Sequence, residues 1–177
     1  MPVTRRTFIK AGAIGAGALA VAGAYEAWRL RDCITRPAAA LSPAGRSLFA
    51  AVTPAFLDGM VELEYWSPDT LSAALDNVDR TIAALPSAAR GELQQLACLL
   101  DQGPVRVLLA GTWTPWASVT PDRARRVLER WRFSRTPMLV SAYQALHDIT
   151  FASWYAQPSA WAAIGYPGPP VFTASPR

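Results

Sequence analysis

Apolar residues recur at helical spacing through most of the chain. Leu48, Phe49, Val52, Phe56 and Leu57 share one face of a helix that begins after Pro43, and Pro54 within it predicts a kink or a break. Ser67-Pro68-Asp69 reads as the next helix start: serine at the N-cap, proline at the first helical position, an acid in the first turn. Leu71, Leu75, Val78, Ile82 and Leu85 then form one stripe, which Pro86 ends. Ser87 is placed to cap a further helix, whose stripe of Leu93, Leu96, Ala97 and Leu100 stops by Gly103-Pro104. Taken alone, Val105–Ala110 suits a strand or a short buried helix, and its helical neighbours tilt the choice to helix. Thr120-Pro121-Asp122 repeats the capping pattern and opens a helix to about Phe133, with Val127, Leu128 and Trp131 on its apolar face. Pro137 fits the first turn of a long helix reaching about Ala156. Leu139, Tyr143, Leu146, Thr150 and Trp154 line one side of it, with Ala142, Ile149 and Ser153 beside them. Beyond Pro158 the periodicity stops. The expected fold class is all-α: a small helical bundle over residues 46–156 with an extended Pro/Gly/aromatic C-terminal arm over 157–177.

Composition agrees with one packed domain. The chain has 177 residues, 51% of them apolar, with 11 Gly, 15 Pro and 2 Cys. That excludes the disordered, collagen-like and disulfide-dense classes. Charge changes the picture more. Residues 1–24 hold Arg5, Arg6 and Lys10 without an acid, so they account for +3 of the net +4 and leave the rest near neutral. Little charge remains for neutralising phosphates, which argues against a nucleic-acid partner.

The same leader carries a motif. Thr4-Arg5-Arg6-Thr7-Phe8-Ile9-Lys10 precedes an Ala/Gly-rich apolar run from Ala11 to Ala24. This resembles a twin-arginine (Tat) export signal, with Arg5, Arg6, Phe8 and Lys10 on the matching positions. The apolar run is too short and glycine-rich for a secure membrane span. Ala22-Gly23-Ala24 offers cleavage before Tyr25, and a leader left uncleaved would hold the protein at the inner membrane. Residues 25–45 read as a linker with local helix. Gly12, Gly15 and Gly17 loosely mimic a dinucleotide loop, which needs a strand before it, a helix after it and an acid about 20 residues on, but these glycines follow the twin arginines at the N-terminus. The implied location is the periplasm, with the Tat translocase as a partner. That pathway moves folded proteins and suits cargo that acquires a cofactor first. This chain shows no cofactor site, so either it folds too fast for threading or it travels with a protein that holds one.

Candidate chemistry is sparse. His147 is the single histidine, no Glu-x-x-His or Cys-x-x-Cys pair occurs, and Ser87, Ser134 and Ser141 lack a nucleophile motif. Glu62 and Glu64 flank Leu63 and do not face one another on a helix. No catalytic, cofactor-binding or metal-binding residue is assigned. Cys33 and Cys98 can form one disulfide in an oxidising compartment, or remain free thiols with one buried and one near the linker. Arg123, Arg126 and Arg130 fall on one helix face, which is either solvated or a docking patch for an acidic surface. Seven tryptophans exceed what a small core needs, and tryptophan is enriched at interfaces. The tail from Pro158 to Pro170 sets Trp161, Ile164 and Tyr166 among prolines and glycines, a segment suited to lying along a surface.

These motifs together resemble a known family. Gly111-Thr112-Trp113, Thr120-Pro121 with Arg126 to Trp131, Tyr143-Gln144-Ala145-Leu146 and Pro158 to Pro170 are similar to a helical element associated with GMC (glucose–methanol–choline) flavin oxidoreductases. The element precedes the flavin domain in long-chain fatty alcohol oxidases. More loosely, the chain resembles the Tat-exported small subunits of gluconate-2-dehydrogenase type enzymes (the subunit 3-like group). Trp161 with Ile164-Gly165-Tyr166-Pro167-Gly168 is its most specific part. The resemblance implies a non-catalytic small subunit whose large GMC-type flavoprotein partner holds FAD, with a cytochrome c as a candidate electron acceptor. The implied partner interface is Trp113, Trp131, Trp161, Ile164, Tyr166 and Pro167. The alternative is a free-standing periplasmic helical module that binds an apolar ligand.

Overall fold

A computed structural model of the chain describes residues 23–35, 41–161 and 164–169. Arg5, Arg6, Phe8 and Lys10 of the expected export signal lie outside the described residues. The fold is all-α, with seven helices and no strand among the described residues. We number them α1 (23–35), α2 (Pro43–Phe56), α3 (Pro68–Ala83), α4 (Ser87–Asp101), α5 (Gly103–Ala110), α6 (Pro121–Arg132) and α7 (Pro137–Tyr155). Short 3₁₀ turns occur at Leu63–Tyr65, Trp116–Ser118 and Pro158–Ala160.

Helix α2 is the axis of the bundle. Leu48, Phe49, Ala51, Val52, Thr53, Pro54 and Ala55 are all buried, because α3, α4, α6 and α7 pack around it. A helix that is apolar on nearly every side belongs in a core. Of the kink or break expected at Pro54, the break does not occur: α2 continues to Phe56. Proline has no N–H to donate to the carbonyl one turn back, but only two helical residues follow it, so a single bond is lost near the end of the helix.

Three helices start on the same chemistry. Ser42, Ser67 and Thr120 have extended backbones, each is followed by proline, and each hydroxyl oxygen accepts an N–H of the first turn, from Gly45, Thr70 and Arg123. Ser87 does not act as a cap, contrary to the sequence expectation. Pro86 takes the N-cap position and α4 begins at Ser87 itself, with no side-chain cap. Ser67→Ala is therefore expected to lower stability by about 1 kcal/mol, while Ser87→Ala changes it by a few tenths at most. Urea denaturation of the two variants side by side checks this.

The helix C-termini are closed differently, by side chains reaching in from elsewhere. The last-turn carbonyls of a helix have no intrahelical donor. The Trp116 indole N–H donates to Leu100 O at the end of α4 at 2.9 Å, and Arg106 donates to Asp101 O beside it at 2.8 Å. The Trp131 N–H donates to Leu109 O at the end of α5 at 2.8 Å, and Arg130 to Ala110 O at 2.7 Å. Arg90 donates to Ala83 O at the end of α3 at 2.9 Å, and Trp161 to Tyr155 O at the end of α7 at 2.7 Å. Gly111 ends α5 in the left-handed region at φ 64°, where a Cβ would also stand 3.1 Å from Arg130.

Helix α1 is attached rather than packed. None of residues 23–35 is buried, and Tyr25 and Trp28 are more than half exposed. A Cys33–Cys98 disulfide ties it to α4, where Cys98 is fully buried. Two polar contacts assist: Arg29 to Asp101 at 2.9 Å and Gln94 Nε2 to Cys33 O at 2.6 Å. Part of the expected linker is thus a helix fixed to the bundle by a covalent bond.

Candidate partner interface

The C-terminal arm is built around one indole. Trp161 follows the 3₁₀ turn Pro158–Ala160, and its N–H bond to Tyr155 O fastens it to the end of α7. Its own carbonyl accepts the N–H of Ile164 at 3.2 Å and of Tyr166 at 3.0 Å. The Tyr166 ring meets the indole edge-on, with centroids 5.4 Å apart. Gly168, at φ 99°, lets the chain cross the indole face, since a Cβ there would stand 3.1 Å from the ring. The described part of the arm therefore winds around Trp161 instead of running straight. The indole is half-buried, while Ile164, Tyr166 and Pro167 are exposed, Ile164 at 53% and Tyr166 at 45%.

Further rings lie at the same end of α7. Trp154 contacts Tyr65 and Trp66, with centroids 6.2 Å apart in both cases, and Tyr65 meets Trp66 edge-on. Tyr65 is 48% exposed. Sequence reasoning missed Tyr65 and Trp66 as candidates. The available signal was an aromatic pair just before the Ser67 cap, with Trp154 and Tyr155 just before the arm. Along α7, Tyr143, His147, Phe151 and Tyr155 recur every fourth residue, all half-buried, and Phe56 of α2 sits edge-on to the first three. His147 is thereby a member of an aromatic row, its Nδ1 2.9 Å from Asp148.

The remaining expected interface residues separate. Trp113 stands on the connection between α5 and α6, is 70% exposed, and lies against the start of α5 at Gly103. Its backbone carbonyl is fixed by Arg106 at 3.0 Å. Trp131 is not an interface residue: it is 1% exposed, enclosed with Val127 and Leu128 in the core. It turns inward because its position on α6 falls in the apolar stripe and its N–H finds the orphan carbonyl of Leu109. Arg123, Arg126 and Arg130 do share one side of α6, where with Gly111, Glu129 and Phe133 they wall an open cleft of about 720 Å³.

What this surface offers chemically is contact area and charge. Exposed rings and an exposed isoleucine lie on an arm held by backbone and indole hydrogen bonds, so little ordering entropy is lost when another surface covers them. Among the described residues no cluster of three or more His, Cys, Asp or Glu is arranged to hold a metal ion. No described helix is long and apolar enough to cross a membrane. No family model, curated protein or solved structure matches the chain.

Proposed function

We propose that the chain is a non-catalytic accessory subunit of a periplasmic GMC-type FAD-dependent alcohol dehydrogenase, serving as its export escort and stabiliser. The observation that carries this reading is the exposed aromatic end formed by the arm and the α7 terminus. Ile164 and Tyr166 project from a segment that Trp161 and Gly168 hold in one shape. A shaped apolar arm of this kind suits burial against a second polypeptide. The Cys33–Cys98 disulfide also supports the assignment to an exported protein, because such bonds persist in oxidising compartments. The twin-arginine resemblance of the leader supplies the route, and the large subunit would carry the FAD.

The test is co-expression with a GMC-type flavoprotein from the same genome, purification from the periplasm through a tag on this chain, and measurement of bound flavin. Flavin should co-purify at a fixed ratio. The double variant Ile164→Asp/Tyr166→Asp should reduce that ratio by about tenfold or more while leaving thermal unfolding of the isolated chain nearly unchanged. A soluble, flavin-free monomer that binds no dehydrogenase would overturn the proposal.

An apolar-ligand module is the second function with an observation behind it. Leu85, Leu93, Leu96, Met138, Ala142 and Ile149 line an apolar groove of about 390 Å³ between α4 and α7. Saturable binding of a long-chain alcohol by the isolated chain, abolished by Leu96→Glu, would favour it over the subunit role.

A further inference from the structure

Charge is divided along this chain. Residues 121–135 hold Arg123, Arg125, Arg126, Arg130, Arg132 and Arg135 against Asp122 and Glu129, a local charge of +4. The leader already accounts for +3 of the chain's +4, so all other residues together carry −3. The positive stretch of the body is α6 and the turn after it; the residues outside it and outside 1–24 are acidic in sum.

Packing turns that stretch into a shaped site. Arg123 and Arg130 donate to Gly111 O and Ala110 O, which holds both guanidiniums beside the end of α5. Arg126 stands with them in the 720 Å³ cleft, so three guanidiniums face the single carboxylate of Glu129. Phe133 closes one side, 76% exposed, with Arg132 over its ring at 5.2 Å. Arg125 is committed elsewhere, to Asp58 at 2.7 Å and Asp122 at 3.1 Å.

We propose that the α6 cleft docks an acidic polypeptide segment that carries an apolar side chain, the acids meeting Arg123, Arg126 and Arg130 and the apolar group covering Phe133. The assignment holds whichever protein bears the segment and does not depend on the flavoprotein reading. Prefixed guanidiniums raise the on-rate and the selectivity for such a partner. Other polyanions fit less well. Duplex nucleic acid is bound through many phosphate contacts, and a body at −3 opposes it outside the cleft. A helix lying on an anionic bilayer inserts its apolar face. That face of α6, Ala124, Val127, Leu128 and Trp131, is already buried in the core.

The experiment titrates the full oxidised chain with three labelled probes: an Asp/Glu-rich peptide containing one leucine, a DNA duplex, and phosphatidylglycerol vesicles. The peptide is expected to bind most tightly and to lose about tenfold in affinity or more between low and physiological salt. Arg126→Glu should weaken it by about tenfold again, and Arg126→Gln by less. Phe133→Ser should abolish the advantage of the leucine peptide over the same peptide with serine in its place. Both positions are exposed, so unchanged thermal unfolding shows that the fold is kept. No peptide binding, equal binding by Arg126→Glu, or tighter binding of the duplex or vesicles would each overturn the proposal.

Discussion

Trp131→Ala is expected to remove about 3–5 kcal/mol of stability, a large share of what a domain of this size possesses. Two losses add. The first is the indole's volume from the middle of the α6 stripe, where Trp131 is 1% exposed and sits among Val127, Leu128 and Ala124. The second is the hydrogen bond to Leu109 O, which leaves a last-turn carbonyl of α5 without its donor. Trp131→Phe separates the two. It keeps most of the apolar bulk and orphans the carbonyl, so about 1–2 kcal/mol should go. Urea denaturation followed by circular dichroism measures both. Were Trp131 an interface residue, the alanine variant of the isolated chain would unfold within a few tenths of a kcal/mol of wild type. Trp131→Phe loosens the end of α5, and with it the carbonyls that hold Arg123 and Arg130 in their cleft. It should therefore also weaken the acidic peptide, whereas Leu146→Ala, deep in α7, should not.

The seven tryptophans show where sequence reasoning reaches its limit. Helix spans, the Ser67 and Thr120 caps and the stripes of α3, α4 and α6 follow from local rules, since periodicity and capping act within a few residues. The fate of an indole does not. Trp116, Trp131 and Trp161 each donate to a carbonyl at the end of another element, 16, 22 and 6 residues away. Such a bond depends on which helix end lies nearby in space, and spacing along the chain carries no trace of it. For Trp131 the local signal was in fact present, because it shares the stripe of Val127 and Leu128. Its place in the expected partner interface competed with that stripe, and burial decided the matter.

The candidate site was legible in part for the same reason. Trp161, Ile164 and Tyr166 stand out because they interrupt a proline-rich, aperiodic tail, and they do emerge as a partly exposed group. Tyr65 and Trp66 join the same end of the molecule through Trp154, a contact across 88–89 residues that only the antiparallel approach of α3 and α7 creates. The arginines of α6 share a face by helical spacing alone. That two of them are pinned to α5 carbonyls depends on the left-handed turn at Gly111 and on how α5 meets α6.

Loss of the disulfide, in Cys33→Ser/Cys98→Ser, is the second large effect expected. The bond closes a loop between residues 65 positions apart that contains α2, α3 and most of α4. Chain entropy in the unfolded state alone assigns such a loop about 4 kcal/mol. The loss should fall short of that figure, at about 2–3 kcal/mol, because the folded state also gains freedom when the bond goes. None of residues 23–35 is buried, so without the bond α1 is held by polar contacts such as the Arg29–Asp101 pair and the Gln94 contact, and partly exposed pairs of that kind contribute little. Release of α1 then offsets part of the destabilisation. Hydrogen exchange on the oxidised and the disulfide-free proteins separates this from uniform weakening. Amides of 23–35 should exchange near the rate of an open chain once the bond is gone, while those of α2 and α4 stay protected up to the lowered global stability. If α1 instead exchanged only together with the core, it would be an integral part of the bundle, and the full 4 kcal/mol should then appear in the denaturation midpoint. Reduction is thus expected to detach α1 from α4 without unfolding the body. Under the export route proposed above, a chain folded in a reducing cytoplasm would have α1 fixed to α4 only on reaching an oxidising compartment.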